Sequence, residues 1–118
     1  MLVGGGAELA RRSPGTRYRH YAPSVPLIIA SAQELAAVVS GLLEQGKTVG
    51  VLARRHPGLE HQGLRLRLVE GGLRRYAQEL FDALRALDSQ GCQVIVAEAV
   101  EERGLGLAIM DRLRRAAG

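Results

Sequence analysis

The sequence predicts an α/β domain, a three-layer Rossmann-like arrangement in which a mostly parallel sheet carries helices on both faces. Apolar segments of strand length alternate along the chain with longer segments whose apolar residues recur at helical spacing. Most of the strand segments are apolar on both faces, as expected for strands that helices cover on both sides. Their order (strand, helix, strand, strand, helix, strand, helix) is typical of such a sheet.

Four short strands are predicted, at residues 25–30, 47–53, 64–69 and 93–97. In the third, arginine alternates with leucine, which indicates an edge strand or a strand with one wet face. The polar loop before it, residues 54–63, is too short for a crossover helix.

Three helices are predicted from apolar residues at helical spacing. Ser31 and Glu34 form a capping-box pattern before the first, and Gly46 follows its end. In the last helix, Leu105 and Leu113 are expected to face inward. The helices are predicted at residues 32–45, 72–89 and 104–117.

Length and composition indicate one globular domain. The chain has 118 residues and a mean hydropathy near zero, enough for one core. It contains no run of eighteen apolar residues, so we expect no membrane span. We expect a cytoplasmic location. Cys92 is the only cysteine, which excludes an internal disulfide, and we expect a half-buried apolar packing role for it.

One composition boundary divides the chain near Pro26. Residues 1–12 are interpreted as a disordered or border segment, residues 13–24 as an irregular extended arm and residues 25–118 as the α/β domain. Of the net charge of +4, +3 lies in residues 1–26, which leaves the domain nearly balanced. A basic face for RNA is therefore not favoured.

The arm, which reads S-P-G-T-R-Y-R-H-Y-A-P, has an unusual composition for a linker. Pro14 and Pro23 favour extended backbone around them. Arginines between tyrosine and histidine rings offer donors for phosphate and flat surfaces for a base. A simple tether would have no need of these residue types, so the arm is favoured as a nucleotide contact.

A second candidate site lies where the predicted fourth strand ends. Ligands of parallel α/β sheets bind beyond the carboxyl ends of the strands. Glu98 follows that strand, and Gly104 and Gly106 open the last helix, where amides could receive an anion. The favoured interpretation of Glu98, together with Glu101 and Glu102, is a solvated acidic loop. The favoured interpretation of Gly104 and Gly106 is a tight turn that lets the helix pack close to the sheet.

No metal site is predicted. His56 and His61 could ligate a metal, but the loop around them offers no third ligand, so polar surface is favoured.

The arm resembles the interdomain linker of the two-domain form of threonylcarbamoyl-AMP synthase, which carries a near-identical string. The segment from Tyr76 to Asp88 is similar to a helix of that enzyme's C-terminal domain. The run from Gly104 to Leu113 is similar to its closing signature. The YrdC-like catalytic domain, which the resemblance places before the arm, is not in this sequence.

The resemblance implies a noncatalytic linker and accessory or regulatory domain, and no catalytic residue in this chain. It implies that the full-length enzyme is a nucleotidyltransferase that uses ATP, magnesium, threonine and bicarbonate to make threonylcarbamoyl-AMP for tRNA threonylcarbamoyladenosine biosynthesis. Its partner would be the YrdC-like domain. The arm residues implied to contact the nucleotide or intermediate are Ser13, Arg17, Tyr18, Arg19, His20 and Tyr21.

Two departures from the family pattern and two alternative functions remain open. Asp111 stands where asparagine is expected, and the loop at residues 54–63 is shorter than in many relatives. The alternatives are an autonomous sensor of a nucleotide or amino acid and an RNA-binding module, although direct tRNA binding is not favoured. The arm could also mediate a homodimer.

Overall fold

The computed structural model describes residues 21–118 of the chain. The segment predicted at residues 1–12 and most of the arm therefore lie outside the described residues. The elements are β1 (Leu27–Ala30), α1 (Leu35–Glu44), β2 (Val49–Ala53), β3 (Leu64–Leu68), α2 (Leu73–Asp88), β4 (Val94–Glu98) and α3 (Leu105–Ala117).

The four strands form one sheet in the order β1, β4, β2, β3, and each neighbouring pair is parallel. Val96 of β4 lies beside Ile28 of β1 on one side and Val51 of β2 on the other. The predicted α/β fold with a parallel sheet is confirmed. β3 is an edge strand, one of the two possibilities that its alternating arginines indicated.

Helices cover both faces of the sheet because alternate residues of the buried strands are apolar on each side. On one face, α1 packs on Val49 and Val51 through Leu35, Val39 and Leu43. The opposite face is covered by α2 and α3, whose buried side chains pack on Leu27, Leu52, Ile95 and Ala97 of the strands.

The first helix begins later than predicted. Residues 32–34 form a turn in which the Ser31 hydroxyl accepts a hydrogen bond from the Glu34 amide at 3.2 Å, and regular helix starts at Leu35. Ser31 therefore supplies the backbone contact expected of a capping residue.

Leu105 does not face inward as predicted, since 41% of it is exposed. The buried face of α3 is instead formed by Gly106, Ile109, Met110, Leu113 and Ala116. The close approach of Gly106 to the preceding loop sets this rotation.

Residues 54–63 connect β2 to β3 without a helix, as predicted, and Leu59 packs against the core on the α1 face. Because all strands are parallel, the segments after β1, β2 and β4 leave the sheet at the same end, the carboxyl ends of the strands. We call this end the carboxyl edge of the sheet. Within residues 21–118, no helix is long and apolar enough to cross a membrane.

Candidate functional site

The end of the arm is bound to the last residue of α2. Asp88 accepts hydrogen bonds from the Tyr21 hydroxyl at 3.0 Å and from the Ser24 hydroxyl at 2.8 Å. The Ser24 amide donates to both carboxylate oxygens, at 3.2 and 3.1 Å. One side chain thus fixes two positions of the arm.

The Tyr21 ring lies against the side of α2. It makes an edge contact with Phe81, with ring centroids 6.5 Å apart and planes at 71°. The guanidinium of Arg85 lies 5.9 Å from the Tyr21 ring centre, within the range of a cation–π contact. We call this group, comprising Tyr21, Ser24, Phe81, Arg85 and Asp88, the arm anchor.

The ionisation of the arm anchor follows from these contacts. Burial and the hydrogen bond to Asp88 raise the pKa of Tyr21 to about 12, so the phenol is neutral and can donate. Burial alone would raise the pKa of Asp88, but the hydrogen bonds from Ser24 and Tyr21 outweigh it and hold that pKa below its usual value. The pair is therefore a phenol donating to a carboxylate.

Sequence reasoning missed Asp88 and Ser24. A carboxylate in the last turn of a helix meets the negative end of the helix dipole, which is unfavourable. Asp88 occupies that position in α2. Such a placement was the available signal that the side chain has a partner elsewhere in the chain.

Of the six arm residues predicted to contact a nucleotide, only Tyr21 lies within the described residues. The structure places its ring and hydroxyl on α2. Nucleotide contact by the arm stays a prediction for the whole set, Ser13, Arg17, Tyr18, Arg19, His20 and Tyr21.

A groove lies at the carboxyl edge of the sheet, where two adjoining cavities of about 320 and 340 Å³ share Ala32, Gln33, Arg55 and Glu98. The first cavity is completed mainly by apolar residues, and the second by Ser31, Arg54 and the segment after β4. We call the two cavities together the strand-end groove. It occupies the edge at which ligands of parallel α/β domains bind.

Glu98 does not belong to a solvated loop, which was the favoured interpretation of the acidic residues. It is the last residue of β4 and only 4% exposed. One carboxylate oxygen accepts a hydrogen bond from the Arg54 amide at 2.8 Å, which ties the ends of β4 and β2 together. Glu101 and Glu102, by contrast, are exposed.

Arg54 lies beside Glu98, and sequence reasoning missed it too. Its guanidinium carbon is 6.0 Å from the ring centre of Tyr76, whose hydroxyl donates to the Glu98 carbonyl at 2.6 Å. Within residues 21–118 the Arg54 Nε atom is buried and has no hydrogen-bond acceptor. The signal was a charged residue immediately after a wholly apolar strand.

Gly104 and Gly106 form the turn into α3. A Cβ on Gly106 would lie 1.8 Å from the Glu101 carbonyl oxygen, and Gly104 has a φ of 57°. The Gly106 and Leu107 amides donate to the Arg103 and Gly104 carbonyls. Close packing therefore accounts for Gly106, and the positive φ accounts for Gly104.

The two loop histidines serve the backbone around them. His56 and His61 each accept a hydrogen bond through Nδ1 from the amide two residues later, Gly58 and Gly63, at 3.0 and 2.9 Å. Across residues 21–118, no three side chains of the metal-ligating types cluster together.

Cys92 is buried more completely than expected, at 5% exposure, and its thiol donates to the Leu87 carbonyl. Burial raises the pKa of the thiol, which keeps it protonated.

The structure defines a class of protein: an α/β domain with a parallel sheet. It holds the end of a preceding arm on one helix and has a groove of ligand size at the ends of its strands. The family profile "Threonylcarbamoyl-AMP synthase, C-terminal domain" matches residues 3–118. The chain therefore belongs to the family of threonylcarbamoyl-AMP synthase C-terminal domains.

Relatives of known structure agree with this assignment. The chain is 37% identical, over 113 residues, to threonylcarbamoyl-AMP synthase from Pyrococcus abyssi, covering 91% of this chain and 32% of that protein. It is similar to the crystal structure of P. abyssi Sua5 complexed with L-threonine (TM-score 0.73, 33% identity, 93% of this chain and 36% of that chain).

A third relative is a domain crystallised by itself, the C-terminal Sua5 domain from Pyrococcus horikoshii. The similarity has a TM-score of 0.63 and 34% identity, and it covers 79% of this chain and 93% of that chain. The chain spans about a third of the length of the curated relatives it matches.

Proposed function

We propose that the chain is the linker and noncatalytic accessory domain of a threonylcarbamoyl-AMP synthase. In this proposal residues 13–24 are the linker and residues 25–118 the domain. The whole enzyme turns ATP, threonine and bicarbonate into threonylcarbamoyl-AMP and pyrophosphate, for tRNA threonylcarbamoyladenosine synthesis. Family membership supports this assignment, and the catalytic chemistry belongs to the YrdC-like domain.

The observation that carries the proposal is the arm anchor. A linker that only joined two domains would need no fixed exit from the second one. Here Asp88 binds both Tyr21 and Ser24. The α/β domain thereby holds the end of the linker in place at Tyr21 and Ser24.

The arm then acts as a lid over the catalytic pocket. The guanidinium groups of Arg17 and Arg19 neutralise phosphate charge, and the tyrosine and histidine rings cover the nucleotide. A closed lid excludes water from a carbamate-type intermediate that hydrolyses readily. Holding one end of the lid on α2 lowers the entropy lost when it closes.

ATP would enter with magnesium, for which the proposal assigns no ligand in this chain. The described residues contain no cluster of three potential ligands. The chain's own contribution is to position the arm and to exclude water. A location in the cytoplasm, a homodimer through the arm and direct contact with tRNA are separate matters, and the proposal depends on none of them.

The test uses a two-domain enzyme that carries this chain after a catalytic domain, and measures pyrophosphate release that depends on threonine and bicarbonate. Arg17→Ala combined with Tyr21→Ala should weaken ATP affinity and slow turnover, because the lid loses a phosphate donor and its anchored ring. Asp88→Ala should raise the KM for ATP by about tenfold, equivalent to one charge-assisted hydrogen bond.

Asp111→Asn is the matched control. Asp111 is another helical carboxylate, paired with Arg115 at 3.2 Å, but it lies on α3 and is not part of the arm anchor. This variant should behave like the parent enzyme. If the Arg17 and Tyr21 double variant kept the parent's nucleotide affinity and rate, the lid proposal would be abandoned.

A further inference from the structure

We propose that the strand-end groove binds a free α-amino acid with a short branched side chain, its ammonium group on Glu98 and its carboxylate on Arg54 and Arg55. This site goes beyond the lid function and does not depend on it. The inference rests on the position of the groove, the charged residues of its lining and the apolar residues that border its first cavity.

The groove lies where the chain leaves adjacent strands toward opposite faces of the sheet. After β1 the chain turns to α1 on one face, and after β4 it turns to α3 on the other. β1 and β4 are neighbours, so their two outgoing segments separate and leave a crevice between them. Crevices of this kind are where ligands bind in open α/β sheets.

Glu98 gives the crevice a buried acceptor. The side chain borders both cavities although the residue is only 4% exposed. One oxygen is bound to the Arg54 amide, and among the described residues the other has no hydrogen-bond donor. That free oxygen can therefore accept a charge-assisted hydrogen bond from an ammonium group in the groove.

Two arginines border the same space. Arg54 and Arg55 line the second cavity, and within residues 21–118 neither forms an ion pair. The same cavity is also lined by Glu98 and Glu101, so the formal charges of its lining cancel. A lining that carries both signs of charge and no net charge suits a zwitterion better than a nucleotide, whose phosphate would meet both carboxylates.

The first cavity offers some apolar surface to a small side chain. It is bordered by Leu35, Ala36 and Pro57 together with His56, and it shares Glu98 and Arg55 with the second cavity. A ligand held by its charged head would therefore direct its side chain onto apolar surface. Each cavity is close to the lower limit of typical small-molecule sites.

The turns at this edge are poorly suited to phosphate. The segment after β1 reads Ser31, Ala32, Gln33, Glu34 and has no glycine, and its fourth residue brings a carboxylate to the start of α1. At the start of α3 the Gly106 and Leu107 amides are bound to nearby carbonyls. Neither turn offers the glycine-rich loop of dinucleotide sites.

The test is a titration of the ¹⁵N-labelled chain, followed by amide chemical shifts, with L-valine, L-leucine and L-threonine as separate probes. At least one should shift the amides of Ser31, Arg55 and Glu98 saturably. Isovalerate and isobutylamine, which lack the ammonium and the carboxylate of valine respectively, should bind at least tenfold more weakly.

Three variants identify the contacts. Glu98→Gln and Arg55→Ala should each weaken binding by about tenfold or more, because each removes one charged partner. Arg55 is exposed, so its variant tests the site even if Glu98→Gln impairs folding. Glu102→Gln, in the same loop region but outside the groove, is the control and should leave the affinity unchanged.

Two results would overturn the proposal. One is the absence of saturable shifts with all three amino acids up to millimolar concentration. The other is saturation of the same amides by AMP when no amino acid binds, which would assign the groove to a nucleotide. The assay contains no catalytic domain, so a negative result leaves the lid proposal unaffected.

Discussion

The Tyr21 hydroxyl donates a hydrogen bond to Asp88 across 67 residues of sequence and joins the end of the arm to the end of α2. Asp88 would otherwise be an unfavourable carboxylate at a helix C-terminus. Ser24 binds the same carboxylate through its amide and hydroxyl. The domain thus has a defined attachment for the segment that precedes it.

Removing the carboxylate should loosen this attachment. Asp88→Ala is expected to lower the free energy of unfolding by about 1 kcal/mol, because lost hydrogen bonds to a charged group outweigh relief at the helix end. Urea unfolding of the chain measures the change. Asp111→Ala removes only a surface ion pair and should change stability by less than about 0.5 kcal/mol.

The contribution of Asp88 should depend on pH in the acid range. Because its pKa is lower in the folded chain than in the unfolded chain, the stabilisation is complete above the unfolded value of about 3.9 and disappears as pH falls through the folded value. The stability difference between the parent and Asp88→Asn should therefore shrink below about pH 4. A difference that stayed constant into strong acid would show that charge plays no part.

The Tyr21 phenol should lose its proton at a higher pH than an ordinary tyrosine. Its pKa of about 12 means that the folded state favours the neutral phenol, so the associated stability is present at lower pH and is lost as pH rises through that value. Asp88→Ala should move the pKa toward the ordinary value of about 10. The Tyr21 ring-carbon shift in NMR follows the change, and an unaltered midpoint in the variant would contradict the contact.

Tyr76 is expected to stabilise the backbone of Glu98 at the strand-end groove. It is fully buried, and its hydroxyl donates to the Glu98 carbonyl at 2.6 Å. Tyr76→Phe should lower the free energy of unfolding by about 1 kcal/mol, the usual net contribution of such a hydrogen bond. Thermal or urea unfolding tests this, and an equally stable variant would mean that water replaces the hydroxyl.

Gly106 should not tolerate a side chain. The added Cβ of Gly106→Ala would lie 1.8 Å from the Glu101 carbonyl oxygen, and backbone on both sides resists movement. We expect Gly106→Ala to lower the free energy of unfolding by about 2–3 kcal/mol. Urea unfolding measures the change. Gly41→Ala is the matched control, since it lies within α1 with no atom near the new methyl group, and it should stabilise by about 0.5–1 kcal/mol.

The sequence predicted the elements and the sheet class because both follow from local pattern. Alternating arginines in β3 indicated its edge position, and helical spacing indicated α2. The rotation of α3 was not predictable, since it depends on the approach of Gly106 to Glu101. The hydrogen bond of Glu98 likewise joins it to Arg54, a residue 44 positions away in the sequence.

The candidate sites show the same division between local and distant information. The composition of the arm drew attention to Tyr21, but its partner Asp88 is 67 residues away and only the fold brings them together. Glu98 was expected near a strand end. That Arg54 and Arg55 border the same groove as Glu98 follows only from the placement of β2 beside β4.

The proposed function requires that this chain assist catalysis without performing it. Threonine- and bicarbonate-dependent pyrophosphate release from ATP should be measured for this chain, for a separately expressed catalytic domain and for the two mixed. We expect no release by the chain alone, and a faster rate in the mixture than with the catalytic domain by itself. Pyrophosphate release by the chain alone would show that the chain is itself catalytic and would refute the proposal.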